Sequence, residues 1–403
     1  MDRAAASTTL SLRKGEERRL LAGHEWVYSN EIDTARSPLR GLEAGRPAEL
    51  VSQSGRWLAH VDLNPHSLIA ARVVSRHRGR RLDRAELERR LRVAADWRER
   101  LYDEPFYRWV YGESDGLPGL VVDRYGPIAV VQINTAGMER RRQDIVDALV
   151  KVGATVGGVQ GVLLRCDGEL RELEGLDRYV ETAFGQVPEE IEIRENGLPF
   201  VAPLAAGQKT GWFYDQSDNR RRARPLLSRG TVIDAFCYGG GWGVTAAVAG
   251  AERVIFIDGS EAALDYARRN AERNGVAERC EFLRADLPEA LQQLAAEAPV
   301  GAVVVDPPAF VKRKKDLDAG TRAYQKLNER ALALLGEGGV LVSCSCSQHV
   351  DRDAFQRIVQ RAARRADCEL RLLIEGGQSP DHPVHPAMPE TRYLKSLAFA
   401  VGR

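Results

Sequence analysis

The sequence predicts an α/β protein in which a doubly wound parallel sheet fills the C-terminal part of the chain. From Gly230 onward, short apolar runs alternate with helical segments, which is the pattern of parallel strands joined by crossover helices. Residues 8 to 76 instead alternate short β-type runs with Gly and Pro turns, and this favours a small β-rich barrel. Apolar residues at helical spacing between Leu82 and Tyr102 begin a central α+β unit. We therefore expect three domains, with the bounds 1–79, 80–195 and 196–403.

Each element of the first two domains rests on a local pattern. In the barrel, turn residues bound four β-type runs, Trp26–Ser29, Ala48–Ser52, Trp57–Asp62 and Ile69–Val74. In the central unit, one helix face would carry Leu82, Leu87, Leu91 and Ala95. A strand, a turn, a second strand and a helix are then expected at Gly119–Asp123, Arg124–Pro127, Ile128–Ile133 and Gln143–Val152.

The C-terminal sheet is predicted to contain six strands separated by helices. Asn274-Gly275 would cap the end of a helix that begins at Ala262, because these residues tolerate the left-handed backbone. Asp351 can cap the start of the helix after the fifth strand. The strands are expected at Thr231–Phe236, Arg253–Asp258, Cys280–Asp286, Gly301–Asp306, Val340–Cys344 and Leu370–Ile374.

Composition excludes several classes of protein. With 403 residues, 44% of them hydrophobic, the chain can bury a core in each domain. It has neither an apolar run of membrane-spanning length nor the apolar core of a secretion signal, so we expect a cytoplasmic protein. The six cysteines form no C-x-x-C pair and no paired metal-ligand spacing, which argues against a metal site and a disulfide framework. A cysteine with a function would therefore act as a free thiol.

The net charge of +1 hides an uneven distribution along the chain. Residues 1 to 100 hold 20 Lys and Arg against 14 Asp and Glu, whereas the remainder holds 38 against 43. The excess is mostly arginine and includes Arg76, Arg78 and Arg80, and a guanidinium fork can grip two phosphate oxygens. This run predicts RNA binding, with a solvated arginine surface as the alternative.

Glycines and acids mark the carboxyl ends of the first four predicted strands. The first strand leads into a turn that contains Gly239, Gly240 and Gly241, and a turn without side chains lets the backbone approach a ligand. An acid at the end of the second strand can accept hydrogen bonds from ribose hydroxyls. Because strand carboxyl ends converge on one crevice, the pattern predicts a nucleotide-cofactor site. The acids are Asp258, Asp286 and Asp306, and Pro307 and Pro308 follow the last one.

The predicted cofactor is S-adenosylmethionine. A dinucleotide would need G-x-G-x-x-G to place its pyrophosphate at a helix N-terminus, and the run from Gly239 to Gly243 lacks that spacing. The Asp306-Pro-Pro element also has no role in hydride transfer. A nicotinamide cofactor is the alternative that these two observations disfavour.

Five groups of motifs, spread over nearly the whole chain, carry a family resemblance. They are Gly112–Gly119, Gly207–Arg220, Asp306–Phe310 with Tyr324, Ser343–Ser347, and Asp381–Pro383 with Tyr393–Lys395. With these motifs the chain resembles the RlmI-type family of 23S rRNA cytosine-C5 methyltransferases. The resemblance implies an N-terminal PUA-like RNA-binding domain, a central α+β domain and a C-terminal Rossmann-like class I methyltransferase domain. It also implies 23S rRNA as partner, in a single-stranded or unfolded region, and it is compatible with a homodimer because the family includes dimers.

The resemblance assigns roles to individual residues. Residues 207 to 220 would close over the cofactor, and Cys346 would be the nucleophile. Beside the Asp-Pro-Pro element, Lys312, Arg313 and Lys314 form a basic segment that predicts contact with RNA, with solvated charge as the alternative. The expected cofactor-binding residues are Tyr214, Asp215, Gln216, Phe236, Tyr238, Gly239, Gly240, Gly241, Asp258, Asp286, Asp306 and Pro307.

The chemistry of cytosine gives an independent reason for a cysteine. Carbon 5 is a poor nucleophile, and addition of a thiolate at carbon 6 raises its electron density. Asp306 would hold a protonated N3 as negative charge moves into the ring. Cys344 and Cys346 lie two residues apart and would face the same side of a strand. Cys346 is favoured because it lies nearer the carboxyl end of the strand and because it matches the family's Ser-Cys-Ser. Both could instead be small core residues, as unpaired cysteines often are.

Two other functions are compatible with the same residues. An RNA or DNA amino-methyltransferase acting on guanine or adenine would need no cysteine, but such enzymes favour an aromatic residue directly after Pro-Pro, where this chain has Ala309. An RNA-binding assembly protein without activity is the second alternative. The presence of the glycine turn, Asp258, Asp306 and a strand-end cysteine disfavours it.

Overall fold

The computed structural model describes residues 8–204 and 211–403, and these residues form two compact units. The first unit comprises the described parts of Met1–Glu189, Pro203–Gly211 and Asp381–Thr391. The second unit comprises Glu190–Ala202, Trp212–Pro380 and Arg392–Arg403. Each unit therefore combines segments that are distant in the chain.

The first unit begins with a small sheet and its own core. Its elements are β1 (Thr8–Ser11), α1 (Glu17–Leu21), β2 (Trp26–Tyr28), β3 (Pro47–Val51), β4 (Trp57–Leu63) and β5 (Ile69–Ser75). The strands lie in the order β1-β3-β4-β5-β2, and only β1 and β3 are parallel. Because successive strand side chains point to opposite faces, alternate residues such as Leu10, Leu50 and Val61 form the core. All four predicted strands are present.

A mixed sheet with helices follows in the same unit. Its elements are α2 (Arg84–Leu101), β6 (Phe106–Tyr111), β7 (Leu120–Tyr125), β8 (Ile128–Ile133), α3 (Ala136–Glu139), α4 (Arg142–Gly153), β9 (Gly161–Cys166) and β10 (Tyr179–Gly185). The order is β10-β9-β8-β7-β6. Asp83 caps α2 by accepting a hydrogen bond from the backbone N–H of Glu86 at 2.9 Å. Leu87, Leu91 and Leu149 from the helices contribute to the core of this part.

The segment Asp381–Thr391 belongs to the first unit although it lies late in the chain. The carboxylate of Asp381 accepts a hydrogen bond from the backbone N–H of Arg108 at 2.8 Å, and the guanidinium of Arg98 donates to the carbonyl of Asp381 at 2.7 Å. His382 is buried and its Nδ1 lies 2.9 Å from the same carboxylate. Asp381 and His382 of the Asp-His-Pro motif are therefore buried within this unit.

The second unit contains a hairpin and a seven-stranded sheet with flanking helices. The hairpin is β11 (Glu190–Glu195) and β12 (Leu198–Pro203). The elements that follow are α5 (Ser217–Ala223), β13 (Thr231–Ala235), α6 (Gly241–Ala249), β14 (Arg253–Asp258), α7 (Glu261–Arg273), β15 (Cys280–Arg284), α8 (Leu287–Gln293), β16 (Val300–Val305), α9 (Leu317–Ala333), β17 (Leu335–Ser345), α10 (Arg352–Arg365), β18 (Glu369–Gly377) and β19 (Lys395–Gly402).

The strand order of this sheet is β15-β14-β13-β16-β17-β19-β18. Strands β13 to β17 are parallel to one another, and β19 is antiparallel to both β17 and β18. The order reverses between β13 and β16, which is where an open α/β sheet forms a ligand crevice. The central strands are mostly apolar, as is usual for parallel strands buried on both faces.

The expected boundary between residues 195 and 196 falls within the β11–β12 hairpin, most of which belongs to the second unit. The domain bounds remain a prediction. The sheet contains seven strands rather than six, because β19 inserts between β17 and β18. Among the described residues, no helix has the length and apolarity needed to cross a membrane.

Candidate active site

The turn between β13 and α6 has an unusual backbone path. Phe236, Tyr238 and Gly240 have positive φ angles of 63°, 47° and 80°, a region that non-glycine residues enter rarely. The predicted strand therefore stops at Ala235 rather than Phe236. The backbone N–H groups of Phe236 and Cys237 both donate to the carbonyl of Ile257, at 2.9 and 3.1 Å. These bonds fix the turn against the end of β14.

Neighbouring atoms leave little room for side chains in this turn and in the first turn of α6. A Cβ at Gly239 would lie 3.1 Å from the ring of Trp212, and one at Gly243 would lie 2.2 Å from the ring of Phe256. The side-chain amide of Asn270 donates to the carbonyl of Gly239 at 2.9 Å. The turn is thus a rigid, closely packed cradle whose backbone can approach a ligand.

Asp234 supports the turn from below. Its carboxylate is fully buried and accepts a hydrogen bond from the backbone N–H of Gly243 at 2.7 Å. Burial raises the pKa of Asp234 from 3.8 to about 7, and the charge on Asp306 adds to the increase. Asp234 therefore supports the turn structurally, and its carboxyl group is partly protonated near neutral pH.

The predicted acids at the next two strand ends occupy different environments. Asp258 is half-buried at the end of β14, and its two carboxylate oxygens accept hydrogen bonds from the N–H groups of Tyr238 (3.0 Å) and Ser260 (2.9 Å). These bonds orient the carboxylate beside the glycine turn and leave acceptor capacity for ribose hydroxyls. Asp286 is exposed and lies directly before α8, without a side-chain cap.

Asp306, directly after β16, accepts more side-chain hydrogen bonds among the described residues than Asp234 or Asp258 does. Nε2 of Gln216 lies 2.9 Å from each of its carboxylate oxygens, and the indole N–H of Trp242 donates to Oδ2 at 3.2 Å. Burial and then the charge on Asp215 raise its pKa from 3.8 to about 6, against the opposing effect of these donors and of Arg220. Asp306 is therefore held in one orientation, and its pKa lies closer to neutral pH than that of an ordinary aspartate.

The described part of the predicted cofactor-closing segment is firmly anchored. Tyr214, Asp215 and Gln216 are buried in a short turn before α5. The phenol of Tyr393 donates to the carboxylate of Asp215. The guanidinium of Arg220 donates to both carboxylate oxygens of Glu195, at 2.6 and 2.7 Å. Gly207 to Thr210, the beginning of the predicted segment, lie outside the described residues.

The two candidate cysteines have different surroundings. Cys344 lies within β17, is fully buried, and its Sγ lies 3.4 Å from Oγ of Ser396. Burial raises its pKa well above the ordinary value, so the thiol stays protonated. Cys346 lies just beyond the end of β17, is half-buried, and its Sγ lies 3.9 Å from the carbonyl of Pro307. The geometry places only Cys346 beside the Asp-Pro-Pro element with part of its surface open.

Lys395 is a residue of the site that the sequence reasoning did not single out for a role. It is buried opposite Ser345 in the β17–β19 pairing. Its ammonium donates to the carbonyls of Ser347 (2.6 Å) and Tyr393 (2.8 Å). Burial lowers its pKa from 10.5 to about 8, while the charges of Cys346 and Asp351 oppose that decrease. Lys395 is therefore a buried cation within electrostatic range of Cys346.

A hydrogen-bonded network connects the Asp-Pro-Pro loop to the segment after Cys346. Oγ of Ser347 lies 2.8 Å from the phenol oxygen of Tyr324 and accepts from the backbone N–H of Val311 at 3.0 Å. The ring centroids of Phe310 and Tyr324 lie 4.7 Å apart. The predicted basic residues follow this anchored loop, with their side chains exposed. They are Lys312, Arg313 and Lys314.

The predicted arginines of the first unit have unequal freedom to bind phosphate. The guanidinium of Arg76 donates to the carbonyls of Leu20 (2.9 Å) and His24 (2.8 Å). Arg78 is exposed and its guanidinium lies over the ring of Trp57 at 5.7 Å. Arg80 is also exposed. The RNA-binding role remains a prediction for all three, and Arg76 has an additional role in holding the barrel together.

Comparison with known proteins gives matches along most of the chain. The S-adenosylmethionine-dependent methyltransferase family matches residues 170–399, and the PUA-like domain matches residues 10–76. The ribosomal RNA large subunit methyltransferase I of Klebsiella pneumoniae (strain 342) is 35% identical over 398 residues, which cover 97% of this chain and 98% of that protein. The protein of the same name from Pseudoalteromonas atlantica is 33% identical over 400 residues, with 98% and 100% covered.

Solved structures match the fold over the same length. A SAM-dependent methyltransferase from Streptococcus mutans has a TM-score of 0.81 at 19% identity, with 97% of this chain and 99% of that chain covered. A methyltransferase structure complexed with SAH has a TM-score of 0.82 at 19% identity, with the same coverage. At 19% identity, these similarities show a shared fold and nothing more.

Proposed function

Because this chain belongs to the family of the ribosomal RNA large subunit methyltransferase I proteins and is an S-adenosylmethionine-dependent methyltransferase, we propose that it methylates carbon 5 of a cytosine in 23S rRNA. The observation that carries the proposal is the position of Cys346, half-buried at the end of β17 with its sulfur 3.9 Å from the carbonyl of Pro307. Methylation of carbon 5 needs a nucleophile beside the Asp-Pro-Pro element. Methylation of an amine needs no such nucleophile.

The crevice of the second unit suits the cofactor. S-adenosylmethionine, when bound, supplies an electrophilic methyl group. The crowded glycine turn from Gly239 to Gly241 would lie against it without intervening side chains. Asp258, already oriented by Tyr238 and Ser260, would accept hydrogen bonds from its ribose hydroxyls. The other predicted contacts, including Asp286 and Pro307, remain part of this proposal.

Cys346 would act through its thiolate. The sulfur forms a bond to carbon 6 of cytosine, and the electron pair of the C5=C6 bond moves into the ring, so that carbon 5 becomes nucleophilic. After carbon 5 has gained the methyl group, its proton leaves to water and the C5=C6 bond re-forms. The Sγ–C6 bond breaks in that step and returns the thiolate.

Asp306 and Lys395 would assist from opposite ends of the reacting ring. Asp306, oriented by Gln216 and Trp242, would hold a protonated N3 while negative charge moves into the ring. The ammonium of Lys395 would favour the thiolate of Cys346, because a nearby positive charge lowers the pKa of a thiol. Its bonds to the carbonyls of Ser347 and Tyr393 keep it in place.

The RNA would be presented as a single strand with the target base turned out of its stack, since a stacked base cannot reach a half-buried sulfur. We infer that the exposed Lys312, Arg313 and Lys314 bind phosphates on the second unit. Arg76, at the end of the PUA-like match, and Arg78 and Arg80, just beyond it, would do so on the first unit. These contacts position the strand and carry no base specificity.

A methylation assay with tritiated S-adenosylmethionine on undermodified 23S rRNA tests the proposal. We expect wild type to form 5-methylcytosine, Cys346→Ala and Cys346→Ser to form none, and Cys344→Ala to retain transfer. Cys368→Ala is the matched control, because Cys368 is also half-buried but lies between α10 and β18.

Three outcomes would contradict the proposal. Full transfer by Cys346→Ala would indicate an amine acceptor and an RNA amino-methyltransferase. Transfer that yields a product other than 5-methylcytosine would indicate the same. Absence of cofactor binding by calorimetry would indicate an RNA-binding assembly protein.

A further inference from the structure

A cavity of about 400 Å³ lies in the first unit, between the end of β5, helix α2 and the turn after β6. This volume is in the range of small-ligand sites, which is about 300–1,000 Å³. Its walls combine carboxyl groups, hydroxyl groups, arginines and a tryptophan. Among these residues are Glu25, Arg80, Arg89, Arg90, Trp97 and Ser114.

Two buried polar atoms of the wall have no hydrogen-bond partner among the described residues. They are Oε2 of Glu25 and Oγ of Ser114. Burial raises the pKa of Glu25 to about 7; the charge on Glu113 adds to the rise, and Arg76 and Arg90 oppose it. Because a buried polar group without a partner is costly, these two atoms are poised to bond to a ligand.

Arginines give the cavity an excess of positive charge. Glu86 accepts hydrogen bonds from both Arg89 (2.7 Å) and Arg90 (2.8 Å), and Arg80 lies 4.0 Å from the same carboxylate. One carboxylate is therefore surrounded by three guanidinium groups. Asp115, the remaining acid of the wall, is paired with Arg98 at 2.7 Å. The charge suits an anionic ligand such as a phosphodiester.

Trp97 supplies an exposed aromatic surface at the edge of the cavity. Its side chain is 56% exposed on α2, and the guanidinium of Arg100 lies 4.9 Å from its ring centroid. Exposed aromatic rings beside arginines bind unpaired nucleobases by stacking, worth about 1–3 kcal/mol for each base. A buried acceptor, a hydroxyl, a stacking surface and cations thus occur together.

We propose that this cavity binds one unpaired nucleotide of the substrate RNA, with its base stacked on Trp97 and an exocyclic amino group donating to Glu25. The phosphate would lie against Arg80 and Arg89, and Ser114 would complete the contacts to the base edge. The choice of RNA as ligand rests on the proposed function. Carboxylates accept from the amino group of cytosine, whereas uracil has no such group.

The test measures binding rather than turnover. Fluorescence anisotropy would follow binding of equally long single-stranded oligocytidylate and oligouridylate to the full chain carrying Cys346→Ala. We expect Trp97→Ala to weaken oligocytidylate binding by about 5- to 100-fold. Leu101→Ala, which removes another exposed apolar side chain of α2, should leave binding unchanged. Glu25→Gln should reduce the preference for oligocytidylate over oligouridylate towards one, because an amide both donates and accepts.

Thermal unfolding followed by circular dichroism would verify that each variant is folded. Unchanged RNA affinity in Trp97→Ala would overturn the proposal, and a change in sedimentation alone would assign this face to a second copy of the chain. An unchanged base preference in Glu25→Gln would overturn the assigned role of the carboxyl group. Because no methylation is measured, a failure here is distinct from a failure to find 5-methylcytosine.

Discussion

Gln216 donates from Nε2 to both carboxylate oxygens of Asp306, at 2.9 Å each. The orientation of this amide is fixed because its Oε1 accepts a hydrogen bond from Nδ2 of Asn219 at 2.7 Å. Asn219 is held in turn by a bond to the carbonyl of Gly377 at 2.7 Å. The donor face of the amide therefore always points at Asp306, which opposes the rise in its pKa that burial causes.

Replacing this amide by a carboxylate should change the pH dependence of activity. In Gln216→Glu, a second negative charge beside Asp306 raises its pKa above about 6. If the reaction needs ionised Asp306, the acidic limb of the pH–rate profile moves to higher pH. At a fixed pH on that limb, the rate falls about tenfold for each pH unit by which the limb has moved. Gln292→Glu, at an exposed position of α8, is the matched control. An unmoved acidic limb would remove Asp306 from the mechanism.

The cation near the proposed nucleophile should control the reactivity of its thiol. In Lys395→Met, loss of the positive charge raises the pKa of Cys346, and we expect alkylation of Cys346 by iodoacetamide near pH 7.5 to slow by about tenfold. Lys395→Arg keeps the charge, and Lys326→Met changes an exposed lysine of α9. Peptide mapping by mass spectrometry separates Cys346 from the other thiols. Equal alkylation rates in Lys395→Met and wild type would contradict the assigned role.

The carboxylate at the end of β14 should contribute to cofactor affinity. Asp258→Asn keeps one oxygen for the backbone of Tyr238 or Ser260 and removes the charge. Since a hydrogen bond to a charged group is worth about 1.5–3 kcal/mol, we expect the Kd for S-adenosylmethionine to rise by about 10- to 100-fold. Calorimetry would measure it, with Asp265→Asn, exposed on α7, as control. Equal Kd values would show that Asp258 serves the turn alone.

The buried acid beneath the turn should make stability depend on pH. The folded pKa of Asp234, about 7, exceeds its ordinary value of 3.8, so the folded state binds the proton more tightly and loses stability as pH rises between these values. This group alone lowers the free energy of unfolding by about 2–3 kcal/mol between about pH 5 and about pH 8. In Asp234→Asn, which keeps an acceptor for Gly243, that contribution disappears.

Urea denaturation at several pH values measures this effect. Asp318→Asn, at an exposed site of α9, should follow wild type. Part of the slope should remain in Asp234→Asn, because the pKa of Asp306 is raised in the same direction. Parallel stability curves for Asp234→Asn and wild type would show that Asp234 is charged at no cost in the folded protein.

Local sequence patterns predicted individual strands of both units better than the way the strands are connected. The predicted bounds of Arg253–Asp258 and Ile128–Ile133 agree with β14 and β8, because a buried strand is a short apolar run between turn residues. The strand Lys395–Gly402 has a similar composition but was not predicted. Its place depends on pairing with two strands that lie earlier in the chain, and no local signal carries that information.

The candidate site shows the same limit. The glycine turn and the acids could be placed at strand ends from sequence, since one topological rule brings strand ends together. The Gln216–Asp306 pair joins residues 90 positions apart, and the position of Lys395 near Cys346 follows from strand order. Arg76 belongs to a basic run, yet its guanidinium donates to the carbonyls of Leu20 and His24. The orientation of backbone carbonyls is set by the fold and cannot be inferred from a charge pattern.

The position of β19 between β17 and β18 bears on how the protein is made. During synthesis, β13 to β17 can pair as soon as they emerge, but β18 has no partner in this sheet until Lys395–Gly402 has been added. The apolar edge of β17 therefore stays unpaired at least until about fifty further residues have been translated, a few seconds at about 5–20 residues per second. During that interval the nascent chain exposes a strand edge prone to mispairing, and Lys395 reaches Cys346 only when the interval ends.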